Sequence, residues 1–242
     1  MPSPVAIHEP ESAPLPLADI AGGYDASVID NVRFPFPTPP ASGNPIDVWY
    51  DTFSGAFRDF TQGTIAQRPT WVANIQNGLG AVQFDSGLQQ FMDRPAIITG
   101  ADPGAIYIVM RTLDPAGANS GWMRFGSDGF QEDHCTNNPG DGVYSGFGST
   151  ARKTLSTVGN AVVRTWHLAE LHSNASEFSY YRNGGLVFTT GTNTVGWNAT
   201  CQLAKSITLY WGGYMGQVVA YDTIHDAATR ARAALNAKWN LY

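Results

Sequence analysis

The densest run of chemically able side chains lies between Gly126 and Gly142, where the chain reads GSDGFQEDHCTNNPGDG. Asp128, Glu132, Asp133, Asn137, Asn138 and Asp141 are hard oxygen donors, the ligand type that calcium takes. Their spacing is not that of an EF-hand, and Asp, Asn and Gly are equally the residues of long turns. A solvated loop is the expectation. No cofactor is required, and Asp128, Asp133 and Asp141 are the residues a calcium ion would use.

Other chemistries find less support. Glycoside hydrolysis needs two carboxylates flanking the scissile bond. The chain has five Glu (Glu9, Glu11, Glu132, Glu170 and Glu177), two of them in a proline-rich start, and no Asp pair stands out. There is no Gly-x-Ser-x-Gly elbow, HExxH, CxxC, Walker loop or dinucleotide fingerprint. His167, His172 and His225 read as hydrogen-bonded or solvated histidines rather than bases. Sugar binding would use aromatic platforms beside polar groups; Trp122, Tyr144, Trp197 and Tyr214 are the candidates, each also readable as core. Trp71, Trp166, Trp211 and Trp239 sit within strand or helix patterns and read as core. Cys135 and Cys201 are too few for a disulfide framework; two reduced thiols are expected, a single bridge being the alternative.

The bulk properties narrow the class. Only 14% of the 242 residues are charged, so the surface must be built largely from Ser, Thr, Asn, Gln and Gly. A net charge of −6 with 14 scattered Lys and Arg argues against a nucleic-acid partner. No apolar run is long enough to span a bilayer, so no membrane association is expected. The first residues lack the basic start and apolar core of a secretory signal, and export by that route is not expected.

The elements that must position these residues divide near residue 45. Ten of the 15 prolines fall within the first 45 residues. Proline removes backbone donors and fixes φ, so residues 1–45 are expected to be an extended arm, unable to build a sheet interior. Val5, Ile7, Leu15, Leu17, Ile20, Phe34 and Phe36 make it too apolar for an inert linker, and a neighbouring subunit is the expected contact.

Residues 46–242 read as strands and turns. Ala105 to Arg111 is apolar on both faces, as in a strand covered on each side. Phe178 to Tyr181 and Leu186 to Thr189 flank Asn183-Gly184-Gly185, a hairpin signal because Asn and Gly accept positive φ. Ser206 to Trp211 alternates as a strand. Further strands are expected at Ala81 to Asp85, Pro95 to Thr99, Gly121 to Phe125, Val143 to Phe147, Val162 to Leu171 and Gln217 to Tyr221. Ala227, Ala231, Leu235 and Trp239 recur every four residues behind Asp226, which marks one terminal helix.

Several of these stretches together resemble a known family. QRPTWVANIQNGLGAVQFDSGLQQFM (Gln67 to Met92) is similar to the entry signature of concanavalin A-like, laminin G-like domains of bacteria and phages, through Pro69, Thr70, Trp71, Asn77, Gly78, Val82, Phe84 and Asp85. Asp47 to Tyr50 resembles the family's first strand. YYRNGGLVFTT looks like its Asn-Gly hairpin, and GGYMGQVVAYDTIHDAATRARAALNAKWNL resembles its closing strand and final helix. Gln217 stands where the family often has Glu, and the Gly after Phe-Asp is displaced behind Ser86. The catalytic strand of glucanase relatives, Glu-x-Asp-x-Glu or Glu-x-Asp-x-x-Glu, is missing.

The resemblance implies an all-β, concanavalin A-like jelly-roll β-sandwich with a C-terminal helix behind an extended proline-rich arm. Phage structural proteins use such sandwiches as add-on modules. The expected function is therefore a non-enzymatic component of a virion surface, a capsid decoration or cement protein or a tail- or fibre-associated one. Its arm would grip the major capsid protein or further copies of itself, a trimer suiting a threefold. A carbohydrate-binding module that recognises cell-surface glycans is the alternative.

Overall fold

The computed structural model describes residues 15–16, 20–35, 41–54, 58–99, 102–115, 120–126, 134–137, 142–145, 153–156, 164–174, 176–191, 197–224 and 227–242. In chain order the first strands are β1 (Ile20–Asp25), β2 (Val32–Arg33), β3 (Val48–Trp49), β4 (Phe60–Thr61), β5 (Thr70–Gln76), β6 (Leu79–Phe84), β7 (Met92–Pro95), β8 (Gly104–Thr112) and β9 (Ser120–Gly126). Then come β10 (His134–Asn137), β11 (Gly142–Ser145), β12 (Lys153–Ser156), β13 (His167–Asn174), β14 (Glu177–Arg182), β15 (Gly185–Thr190) and β16 (Trp197–Leu203). The last elements are β17 (Lys205–Ser206), β18 (Leu209–Tyr210), β19 (Gly213–Tyr221) and the helix α1 (Ala227–Trp239).

Antiparallel pairing assembles two sheets. The first runs β15-β14-β13-β8-β19-β6-β5, with β1 added beside β19; the second runs β12-β11-β10-β9-β16-β7-β4-β3-β2. They face one another as a sandwich. Ile106, Ile108, Met110, Val218 and Ala220 of the first sheet meet Trp49, Phe60, Met92, Trp122, Phe125 and Leu203 of the second in one core. The other face of the first sheet is also covered. Ala105, Tyr107, Val109, Val219 and Tyr221 pack under Ala231, Leu235 and Trp239 of α1. That second layer is why β8 is apolar on both faces. Gly216 makes the seat: a Cβ there would stand 2.3 Å from the Trp239 ring.

The proline-rich start is built differently from the sequence expectation. Residues 20–25 form a strand inside the first sheet, with Gly22 to Asp25 paired to Gln217 through Ala220. β19 gives its first residues to β6 and, after a bulge near Gly216, its last to β1. Tyr24 is fully buried in the core, and Val32 and Phe34 join it. Leu15 and Ile20 pack on the cluster beneath α1, where the Tyr221 hydroxyl donates to the Pro16 carbonyl. A boundary at residue 45 is therefore corrected: residues 20–35 belong to the sandwich. The physical reason is local, since prolines stop at Pro16 and resume at Pro35, and the stretch between keeps every backbone donor a strand needs. Leu15, Ile20 and Phe34 are thus engaged by their own domain; Val5, Ile7, Leu17 and Phe36 lie outside the described residues.

A second correction concerns Ser206 to Trp211. Instead of one strand it is a tight hairpin, with β17 and β18 joined through Ile207 and Thr208. Ile207 sits at φ 47°, a left-handed conformation that a β-branched residue rarely takes. Elsewhere the turn residues behave as their chemistry predicts: Asn77 and Gly78, then Asn183 and Gly184, supply the positive φ of two hairpins. The strand expected at Pro95 to Thr99 lies earlier, at β7, and the one expected from Val162 begins only at His167.

Candidate functional site

At one end of the sandwich the strand ends leave a cleft of about 370 Å³. β1 opens it with Ile20 and Ala21, and the connection from β7 to β8 adds Ile97, Ile98, Thr99 and Asp102. The connection from β3 to β4 contributes Ser54 and Arg58, and the residue after β19 is Asp222. Four segments distant in sequence thus converge on one mixed surface: aliphatic walls, two hydroxyls, one guanidinium and two carboxylates.

The walls are held by short-range chemistry. Asp51 organises the β3–β4 connection; its carboxylate accepts the backbone N–H groups of Gly23, Phe53 and Ser54 and the Ser54 hydroxyl. Tyr24 donates to the Arg58 carbonyl at 2.6 Å, tying that connection to β1. On the opposite wall the Trp197 indole N–H donates to the Asp102 carbonyl at 2.7 Å. Gly23 permits the close approach, since a Cβ there would fall 2.4 Å from the Phe53 ring.

Behind this cleft sits a buried cation. Arg94 of β7 is 2% exposed, and its Nε donates to the Pro95 carbonyl. Its Nη1 and Nη2 meet no hydrogen-bond partner among the described residues. Tyr24 and Phe60 present their rings to it at 5.5 and 5.8 Å. Burial pulls its pKa down to about 10, which leaves it protonated at neutral pH, and Cys201, opposite it on β16, acts weakly the other way. Nη1 lies 3.2 Å from where a side chain on Gly22 would begin, so the charge stands against β1, the strand whose Ile20 and Ala21 line the cleft.

A second polar cluster lies under α1. Glu170 of β13 is fully buried, and the Arg232 Nε reaches its two carboxylate oxygens at 2.9 and 2.7 Å. His172, two residues on and on the same face, approaches it at 3.8 Å and meets the Tyr107 hydroxyl at 3.2 Å. Burial pushes the Glu170 carboxyl up to about 7, with the Arg232 guanidinium pulling it back. The Tyr107 phenol is likewise pushed up by burial. These groups join sheet to helix.

The aromatics expected as sugar platforms are placed otherwise. Trp122 is fully buried between the sheets and Trp197 is 6% exposed, so neither can stack on a ligand. From the sequence both were candidates that were also readable as core; in the fold their strands, β9 and β16, pair side by side and turn them inward. Tyr214 is half-buried against Trp166, beneath the Arg111 guanidinium at 5.0 Å. The Tyr144 side chain, and Asp128, Asp133 and Asp141, lie outside what is described. Cys201 is buried, and the Cys135 side chain with which it was weighed for a bridge lies outside what is described. Among the described residues no three His, Cys, Asp or Glu side chains gather as a metal site, and no helix is long and apolar enough to cross a membrane. Sequence reasoning missed Arg94, Arg58, Asp102 and Asp222. A charged residue between Met92 and Pro95 was the one available signal.

No protein-family model matches the chain, and no curated protein matches it. Solved structures do share the fold. An arabinofuranosidase complexed with arabinofuranosyl-α-1,2-xylobiose superposes with a TM-score of 0.62 at 12% identity, over 90% of this chain and 63% of that one. The Trypanosoma rangeli sialidase gives 0.59 at 16% identity, over 96% of this chain and 36% of the other. The binding domain of Paraclostridial Mosquitocidal Protein 1 gives 0.61 at 10% identity, over 90% and 52%. This chain thus spans less than two thirds of each neighbour, and at such identities the likeness is one of fold: a β-sandwich of the kind found in glycosidases and binding domains.

Proposed function

We propose that this chain is a carbohydrate-recognition sandwich of the concanavalin A-like kind, and that it seats a sugar in the strand-end cleft. One observation carries the reading: Ser54, Arg58, Thr99, Asp102 and Asp222 converge beside the half-buried Ile20 and Ala21. Hydroxyl-rich ligands need that mixture, carboxylates and hydroxyls for the ring hydroxyls and an apolar wall for the C–H face. Its size falls within the roughly 300–1,000 Å³ of ordinary ligand pockets. Two of the structural neighbours act on sugars according to their descriptions, which fits the same reading.

Recognition is favoured over hydrolysis. Asp102 and Asp222 are both exposed at the rim, whereas the general acid of an acid–nucleophile pair needs a pKa raised by burial. A virion component anchored by its arm is the other reading. It would now have to draw on residues outside the described set, because residues 20–35 are spent on their own sandwich.

A glycan array probed with the intact chain tests the proposal, beside Asp102→Ala/Asp222→Ala as a control. Binding to a defined set of sugars that the double variant loses is the expected result. Silence across the array, with and without calcium, would overturn it.

A further inference from the structure

An arginine sealed between two sheets with no carboxylate is an expensive feature. Taking a charge out of water costs several kcal/mol, and an ion pair or full hydrogen bonding normally offsets it. Among the described residues Arg94 has neither: one donor reaches the Pro95 carbonyl, two ring faces lie near, and both terminal nitrogens are unanswered. Its strand neighbour Asp93 points away and accepts from Gln202. What the cation does approach is Gly22 of β1, the residue that follows Ile20 and Ala21 of the cleft wall. Arg58, on the cleft itself, adds a second positive charge.

Resting on the cleft reading above, we infer that the ligand is an acidic sugar, its carboxylate drawn to the Arg58 side of the cleft by the buried Arg94 charge behind the wall. The field of a charge in a low-dielectric interior reaches across such a wall with little screening. Direct contact with Arg94 is unnecessary. Asp102 and Asp222, exposed at the rim, face the ring hydroxyls, and their own charge turns away a carboxylate presented at that side.

Microcalorimetry on the intact protein tests this, with glucuronate and galacturonate as probes against glucose and galactose. At least about tenfold tighter binding of the uronates is expected. Arg94→Met should erase that preference while the neutral sugars keep their affinity, and Arg94→Lys should restore part of it. A second measurement needs no variant. In 0.5 M salt (~4 Å screening length) a preference set by the buried charge persists, whereas one set by exposed Arg58 alone collapses. Equal or better binding of neutral sugars, an unchanged preference in Arg94→Met, or collapse in salt would each overturn the inference and leave the cleft standing. Failure of every sugar, neutral and acidic, would instead remove the recognition reading itself.

Discussion

Glu170 and Arg94 are buried charges in one sandwich, and only the first is answered within the fold. Glu170 meets Arg232 through two short contacts, with His172 and Tyr107 beside it, and the result fastens α1 to the sheet. Arg94 has no such partner among the described residues and lies against β1 beside Gly22 rather than beneath a helix. The contrast separates two uses of a buried charge. A satisfied pair positions elements; an unsatisfied one stores an electrostatic preference that a ligand can complete.

Breaking the satisfied pair should have the largest effect. Arg232→Met leaves a buried carboxylate alone and is expected to cost about 3 kcal/mol in urea unfolding. The double variant Glu170→Leu/Arg232→Met should recover most of that. If the single variant cost under about 0.5 kcal/mol, the pair would not be what holds the helix.

A comparable effect is hidden in the pH dependence. Burial lowers His167 from 6.5 to about 4, so between those values the unfolded chain binds the extra proton and acid favours unfolding. Glu170 is raised from 4.5 to about 7, so there the folded chain holds the extra proton and acid favours folding. Each contribution amounts to roughly 3 kcal/mol, and the two oppose one another across pH 4.5 to 6.5. Glu170→Gln should therefore expose a loss of stability on acidification across this window, and His167→Gln a gain. Identical pH profiles for the two variants would contradict the assignment.

Removing the unanswered charge should do the reverse of breaking the pair. Arg94→Met is expected to raise stability by about 1 kcal/mol, relief of burial outweighing two lost ring contacts. A lower Tm would mean that the cation is structurally satisfied after all. The smallest change is expected at Lys238, whose 28% exposed side chain joins α1 to the largely buried Asp25. Lys238→Met should cost about 0.5 kcal/mol, a loss that salt screening reproduces in the wild type.

Much of the fold was legible because it depends on near neighbours in sequence. The apolar run of β8, the Asn183-Gly184 hairpin and the four-residue stripe of α1 each express a local rule of period or turn chemistry. β1 was missed because proline content was averaged over 45 residues, when its strand lies in the proline-free interval between Pro16 and Pro35. Ile207 was misread because alternation across Ser206 to Trp211 satisfied the strand rule, while hairpin geometry overrode it at the cost of a left-handed isoleucine. Trp122 and Trp197 carried no sign of which way they faced, since burial is set by the partner sheet.

What the residues determined unaided is the material: a sandwich-forming set of strands, two Asn-Gly turns, one helix and few charges. Which charges meet was decided only in three dimensions. Arg232 lies 62 residues from Glu170, and the cleft draws on four separate segments, so no period along the chain can register them. Strand pairing brings such residues together, and the dielectric of the packed interior then gives each charge its weight.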